Sequence, residues 1–184
     1  MVDSIVFSLR DEADTRRFAA LLAAALGGIP LAEQAFAVHL SGDLGAGKTA
    51  LARHLLRELG FCGPVKSPTF TLVEPYNSPA FDAYHFDLYR FSSPDQWFDA
   101  GFDDFIASPG LALIEWPENA AGALPAPDLR LRLDPVDPPA GSERASADDT
   151  GVGDARTLRV DAFGATGRRC LSEIRQAWRD GGDS

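Results

Sequence analysis

Lysine is nearly missing from this chain of 184 residues: fifteen arginines are accompanied by two lysines only, Lys48 and Lys66. Cysteine is as scarce. Cys62 and Cys170 stand far apart, in no ligand-like spacing, which excludes a disulfide framework or a cysteine-rich zinc site and leaves two reduced thiols as the expectation. No apolar run approaches the ~20 residues of a membrane span. The opening MVDSIVFSLRDEAD has no basic start followed by an apolar stretch, so no secretory signal is visible and a cytoplasmic location is expected. Excess positive charge is absent too. At a net charge of −10 the chain is a poor candidate for holding nucleic acid by phosphate neutralisation, and an RNA-related role needs a basic partner.

Against this scarcity, one of the two lysines sits in a telling place. Residues 36–49 read FAVHLSGDLGAGKT, which contains Gly42-x-x-x-x-Gly47-Lys48-Thr49 between an apolar run and a helical pattern. This is the P-loop pattern. Its glycines let the backbone curl so that successive N–H groups point at phosphate oxygens, and the following helix adds the positive end of its dipole. The loop residues Asp43, Leu44, Gly45, Ala46, Gly47, Lys48, Thr49 and Ala50 are therefore candidate nucleotide contacts. Lys48 reaches the β- and γ-phosphates, and the Thr49 hydroxyl ligates Mg²⁺.

The surrounding pattern alternates strands and helices. Residues 4–9 read as a strand; Asp11 then caps a helix whose apolar face is Phe18, Leu21, Leu22, Ala25 and Leu26. Residues 36–40 form the strand that feeds the P-loop. Residues 48–59 form the helix after it, with Leu51, Leu55 and Leu59 inward and Gly60 as its stop. Strands are expected at 70–74 and 83–89, short helices within 94–106, and a buried strand at 111–114. Further strands are expected at 129–133 and 157–160, and a closing helix carries Cys170, Leu171, Ile174, Ala177 and Trp178. Residues 134–155, rich in Pro, Gly, Ser and Asp, read as an acidic surface loop. The class expected is α/β, a P-loop NTPase-like three-layer sandwich in one domain over 1–184, with a mixed, mainly parallel sheet.

Phosphate binding alone is not catalysis; hydrolysis needs carboxylates to manage Mg²⁺ and water. Two strand exits supply them. LALIE (111–115) is an apolar strand with Glu115 at its end. In YHFDLY (84–89) the period of two puts His85 and Asp87 on one face. Lys48, Asp87 and Glu115 are the catalytic candidates, and Thr49, Glu115 and Asp87 the metal candidates. His85 is either a structural histidine or a member of the site; His39 and His54 read as structural. Arg90 either reaches phosphate or fixes Asp87. Trp116 either stacks on adenine or packs. Ser67 and Thr69, in SPT after the P-loop helix, occupy the position of a switch that senses γ-phosphate.

Together, GDLGAGKT (42–49), VKSPTFTLVEPY (65–76), YHFDLYR (84–90) and IEWPE (114–118) resemble the TsaE family, also called YjeE, over residues 5–135. The resemblance implies an ATPase, weak alone, that acts with TsaD and TsaB in making threonylcarbamoyladenosine at position 37 of tRNA. ATP and Mg²⁺ would be its cofactors. tRNA would be met only through the complex, with no membrane contact and self-association no more than weak. It also implies that Lys48 and Thr49 match the P-loop pair, Asp87 the HFD aspartate needed for hydrolysis, Glu115 the Mg²⁺-associated acid, Trp116 its neighbour, and Ser67 and Thr69 the switch-like segment. One departure is PDQWFD (94–99), where many members carry a glutamate-rich stretch. The rival is a P-loop small-molecule kinase, which usually has an Arg-rich lid that no segment here supplies. No Asn-Lys-x-Asp segment is present to read guanine.

Overall fold

Alternating burial along the strands decides the architecture. The computed structural model of the chain describes residues 2–61, 68, 71–136 and 155–181. Strands β1 (Asp3–Leu9), β2 (Ala35–Ser41), β3 (Val73–Asn77), β4 (Asp82–Asp87), β5 (Gly110–Glu115), β6 (Leu129–Pro135) and β7 (Arg156–Ala162) form one seven-stranded sheet in the order β1-β7-β6-β2-β5-β4-β3. The four central strands, β6, β2, β5 and β4, run parallel, and antiparallel strands flank them at both edges. This is the mixed sheet with a parallel centre that the sequence suggested. β5 is buried at every position, as its unbroken apolar letters require for a strand covered on both faces.

Helices cover the two faces. On one lie α1 (Glu12–Leu26), α2 (Lys48–Glu58) and α5 (Gly164–Asp180), whose Phe18, Leu22, Leu51, Leu55, Leu171 and Ile174 join Phe36, Val38, Leu113 and Leu131 of the sheet in the larger core. On the other lie α3 (Asp95–Asp99), α4 (Asp103–Ala107) and a short 3₁₀ turn (Pro117–Ala120), packed on Phe86, Ala112 and Ile114 around a fully buried Trp97. The segment PDQWFD (94–99) thus contributes Trp97 to the core and exposes its other residues. α1 starts as expected, with the Asp11 carboxylate accepting from the Asp14 N–H at 2.8 Å. Cys170 is a buried free thiol pushed up to about 12 by burial, which makes it unreactive; Cys62 lies outside the described residues.

Three boundaries differ from expectation, each for a local reason. The strand expected at 70–74 begins only at Val73, because Leu72 adopts φ 65° and turns the chain. The strand expected to reach Tyr89 ends at Asp87, where Leu88 accepts from the Phe91 N–H in a turn. Asp134 and Pro135, expected in the acidic loop, extend β6 by pairing with Thr157 and Arg156. Leu59 is half-buried, outside the fully buried part of α2. No helix among the described residues is long and apolar enough to cross a membrane.

Candidate functional site

The parallel register brings three chain segments to one edge. Leu40, the last buried residue before the P-loop, is the register partner of Glu115, and Glu115 is the partner of Asp87. A site made at the carboxyl ends of parallel strands follows from this topology, because β2 leads directly into α2 across that edge. The strand alternation turns His85, Asp87 and Glu115 to the face that α2 covers.

The loop between β2 and α2 is shaped by glycine where nothing else fits. Gly42 has φ 134°, and a Cβ there would collide with the carbonyl oxygen of Leu133. Gly42→Ala is expected to lower stability by about 1–3 kcal/mol from the backbone conformation alone, with the clash added. Thermal melts by circular dichroism would read this; an unchanged midpoint would contradict the geometry. Gly47 takes φ 102° as the residue that opens α2, with no side chain capping the helix. The first N–H groups of α2 are therefore the donors an anion would meet.

Lys48 is 4 % exposed, and its ammonium donates to the carbonyls of Gly42 at 2.6 Å and Asp43 at 2.8 Å. Burial lowers its pKa, opposed by the carboxylates of Glu115, Glu118, Asp87 and Asp43. The ring of Trp116 covers the same ammonium at 3.7 Å. Trp116 itself takes φ 57°, a left-handed conformation that is strained for a bulky side chain, and its N–H donates to Leu40. Its ring also meets Tyr89, 5.1 Å between centroids. The structure thus seats Trp116 against the lysine of the loop.

Glu115 is the hub. Its Oε2 accepts from the Thr49 hydroxyl at 2.9 Å, and its Oε1 lies 2.8 Å from Nε2 of His85. Both partners of the His85–Glu115 contact are buried, at 0 % and 2 % side-chain exposure. Nδ1 of His85 is buried with no hydrogen-bond partner among the described residues, so the proton sits on Nε2, donating to the carboxylate. Asp87 is buried beside this chain, and its Oδ1 accepts from the Tyr89 N–H at 3.0 Å. His85 is thus in direct contact with Glu115, one of the carboxylate candidates.

The remaining candidates divide by position. Leu44 and Asp43 are exposed at the loop, Gly45 takes φ 81° between them and α2, and Ala46 is buried. Ser67 and Thr69 lie outside the described residues. A small cavity of about 120 Å³ opens beside Gly47 and Ala50, lined also by Glu12, Thr15, Leu133 and Arg156. Nothing in the letters singles out Arg156 or Leu133, because only sheet pairing brings β6 and β7 next to the loop.

Thr49, Glu115 and Asp87 offer hard oxygen donors of the kind Mg²⁺ takes. Yet no group of three or more His, Cys, Asp or Glu among the described residues could hold a metal by itself.

Comparisons with known proteins converge on one family. The family model described as "Threonylcarbamoyl adenosine biosynthesis protein TsaE" matches residues 9–143. The chain is similar to the tRNA threonylcarbamoyladenosine biosynthesis protein TsaE of Haemophilus influenzae, with 47 % identity over 105 residues covering 57 % of this chain and 66 % of that protein, just under two thirds of its length. It is 37 % identical to the protein of the same name from Rickettsia felis, over 70 % of this chain and 72 % of that one. The crystal structure of Bacillus subtilis YdiB superposes with a TM-score of 0.72 at 24 % identity, covering 96 % of this chain and 97 % of that chain, which shows a shared fold.

Proposed function

This chain belongs to the TsaE family, whose members are named for tRNA threonylcarbamoyladenosine biosynthesis, and on that premise we propose that it is a Mg²⁺-dependent ATPase serving that modification. The observation that carries the reading is the hydrogen-bonded chain Thr49–Glu115–His85 beside Lys48, whose ammonium spans the loop at Gly42 and Asp43. The loop N–H groups and Lys48 would hold the β- and γ-phosphates, Lys48 exchanging its two loop carbonyls for phosphate oxygens. Mg²⁺, when bound, would neutralise charge building on the phosphates, with Thr49 and Glu115 as its nearest protein donors. Glu115 is engaged at both oxygens, which suits a carboxylate held for metal. Asp87, its register neighbour, then has the task of orienting the attacking water and taking its proton.

The reading extends to partners. A chain of net charge −10 supports tRNA being held by other subunits, TsaD and TsaB, with ATP turnover here serving chemistry there. The test is ATP hydrolysis measured alone and with the TsaB–TsaD pair. Stimulation by the pair is expected. Asp87→Ala and Glu115→Ala should retain nucleotide binding but lose turnover by about 10²-fold or more. Wild-type turnover in both variants would reject this assignment of the carboxylates.

A further inference from the structure

One peptide unit joins Asp87 to a residue outside the P-loop. The peptide between Leu88 and Tyr89 is planar, so its C=O and N–H point in opposite directions and tilt together. Its N–H, that of Tyr89, donates to Oδ1 of Asp87 at 3.0 Å. Its C=O, that of Leu88, accepts from the side-chain amide of Asn119 at 2.9 Å. Asn119 is half-buried in the 3₁₀ turn that follows β5, so the link runs between two strand exits.

The sheet fixes the backbone of Asp87 but not the direction of its carboxylate. Its register partner is Glu115, and its N–H donates to the Leu72 carbonyl at 3.0 Å. The Tyr89 N–H acts on the carboxylate itself, and where that N–H points follows the tilt of the peptide plane. The Leu88 carbonyl also accepts from the Phe91 N–H at 2.9 Å, using its second lone pair, but that donor belongs to the same turn and moves with it. Asn119 pulls from another element. The same amide reaches the Tyr89 carbonyl at 3.3 Å, and the Asn119 backbone N–H donates to the Trp116 carbonyl at 3.1 Å. Trp116 is the residue strained at φ 57° that covers Lys48, and its ring meets that of Tyr89. Asn119 therefore straps the turn after Asp87 to the segment that carries Trp116. An amide suits the task because its NH₂ offers two donors to two successive carbonyls. An ionised aspartate of the same shape offers none.

We infer that Asn119 is a positioning residue for the proposed hydrolysis: it sets the tilt of the Leu88–Tyr89 peptide and thereby the aim of the Asp87 carboxylate at the attacking water. The inference rests on the ATPase reading, in which Asp87 takes the proton of that water. The nucleotide is held elsewhere in that reading, by the loop N–H groups and Lys48. Loss of the strap therefore falls on kcat and spares KM.

The test compares Asn119→Ala and Asn119→Asp in the full chain. For ATP, kcat is expected to fall by about 10- to 10²-fold in the alanine variant and further in the aspartate variant, with KM within about threefold of wild type. Aspartate fills the space of asparagine, so a residue needed only for packing would leave Asn119→Asp as active as wild type. A ¹⁵N-tyrosine-labelled chain gives a second readout without nucleotide. The three tyrosines of the sequence yield three backbone amide signals, and Tyr89→Phe assigns the one that matters. The Tyr89 amide proton is expected to move upfield in both variants as its bond to the carboxylate loosens, with Tyr76 and Tyr84 unmoved. Normal kcat in Asn119→Asp, or an unmoved Tyr89 signal in both variants, would overturn the inference. A raised KM at unchanged kcat would overturn it as well, by making Asn119 a nucleotide contact. A wild-type chain without turnover would sink the ATPase reading and this inference together, whereas active wild type beside fully active variants would sink this inference alone.

Discussion

Lys48→Ala should reduce ATP binding by about 10²-fold or more and bring hydrolysis to background. The reason lies in what already surrounds the ammonium. It is buried, it spans the loop from Gly42 to Asp43, and the Trp116 ring closes over it at 3.7 Å. Phosphate oxygens arriving at the loop would replace two carbonyls that Lys48 already holds, so the charge needs no search and little new desolvation. Calorimetric titration with ATP and Mg²⁺ reads the loss directly. Lys48→Arg should fail to rescue it, since a planar guanidinium does not fit where a compact ammonium sits between Trp116 and the loop. ATP affinity within a few-fold of wild type in Lys48→Ala would remove Lys48 from the phosphate site.

The second large effect is on stability. His85→Ala removes the donor from a carboxylate that is 2 % exposed and leaves a charge buried with only Thr49 on its other oxygen. The expected loss is about 1.5–3 kcal/mol. For a chain of this size that is a drop in melting temperature of roughly 3–12 °C. A double-mutant cycle separates pairing from simple cavity formation. In a Glu115→Gln background no buried charge remains, so the same His85→Ala change should cost about half as much or less. Equal costs in both backgrounds would mean that His85 fills space and does not serve Glu115. His85→Ala should also depress ATP turnover more than ATP binding, because it frees the carboxylate that stands beside Thr49.

How much of this was legible in the letters varies with range. The P-loop was, because its shape is set within eight residues by glycines and by the strand and helix on either side. β5 was, because an apolar run closed by one carboxylate is local too. His85 and Asp87 could be assigned to one face from the period of two, but the face alone did not say that Glu115 lies opposite. His39 read as an ordinary structural histidine, and in one sense it is buried like one. Its place beside Arg130 depends on β6 pairing with β2 across 91 positions, a choice no window of sequence contains.

The sequence by itself determined the glycine-shaped loop between β2 and α2, the alternating α/β class and the carboxylates at strand exits, since each rests on local conformation and periodicity. Tertiary structure alone decided which carboxylate His85 serves, that Trp116 lies over Lys48, that Arg156 stands beside Gly47, and that a cavity opens behind the loop. These are facts of strand order and register. A strand's alternation states which way each side chain points, but only the pairing of distant strands states what it points at.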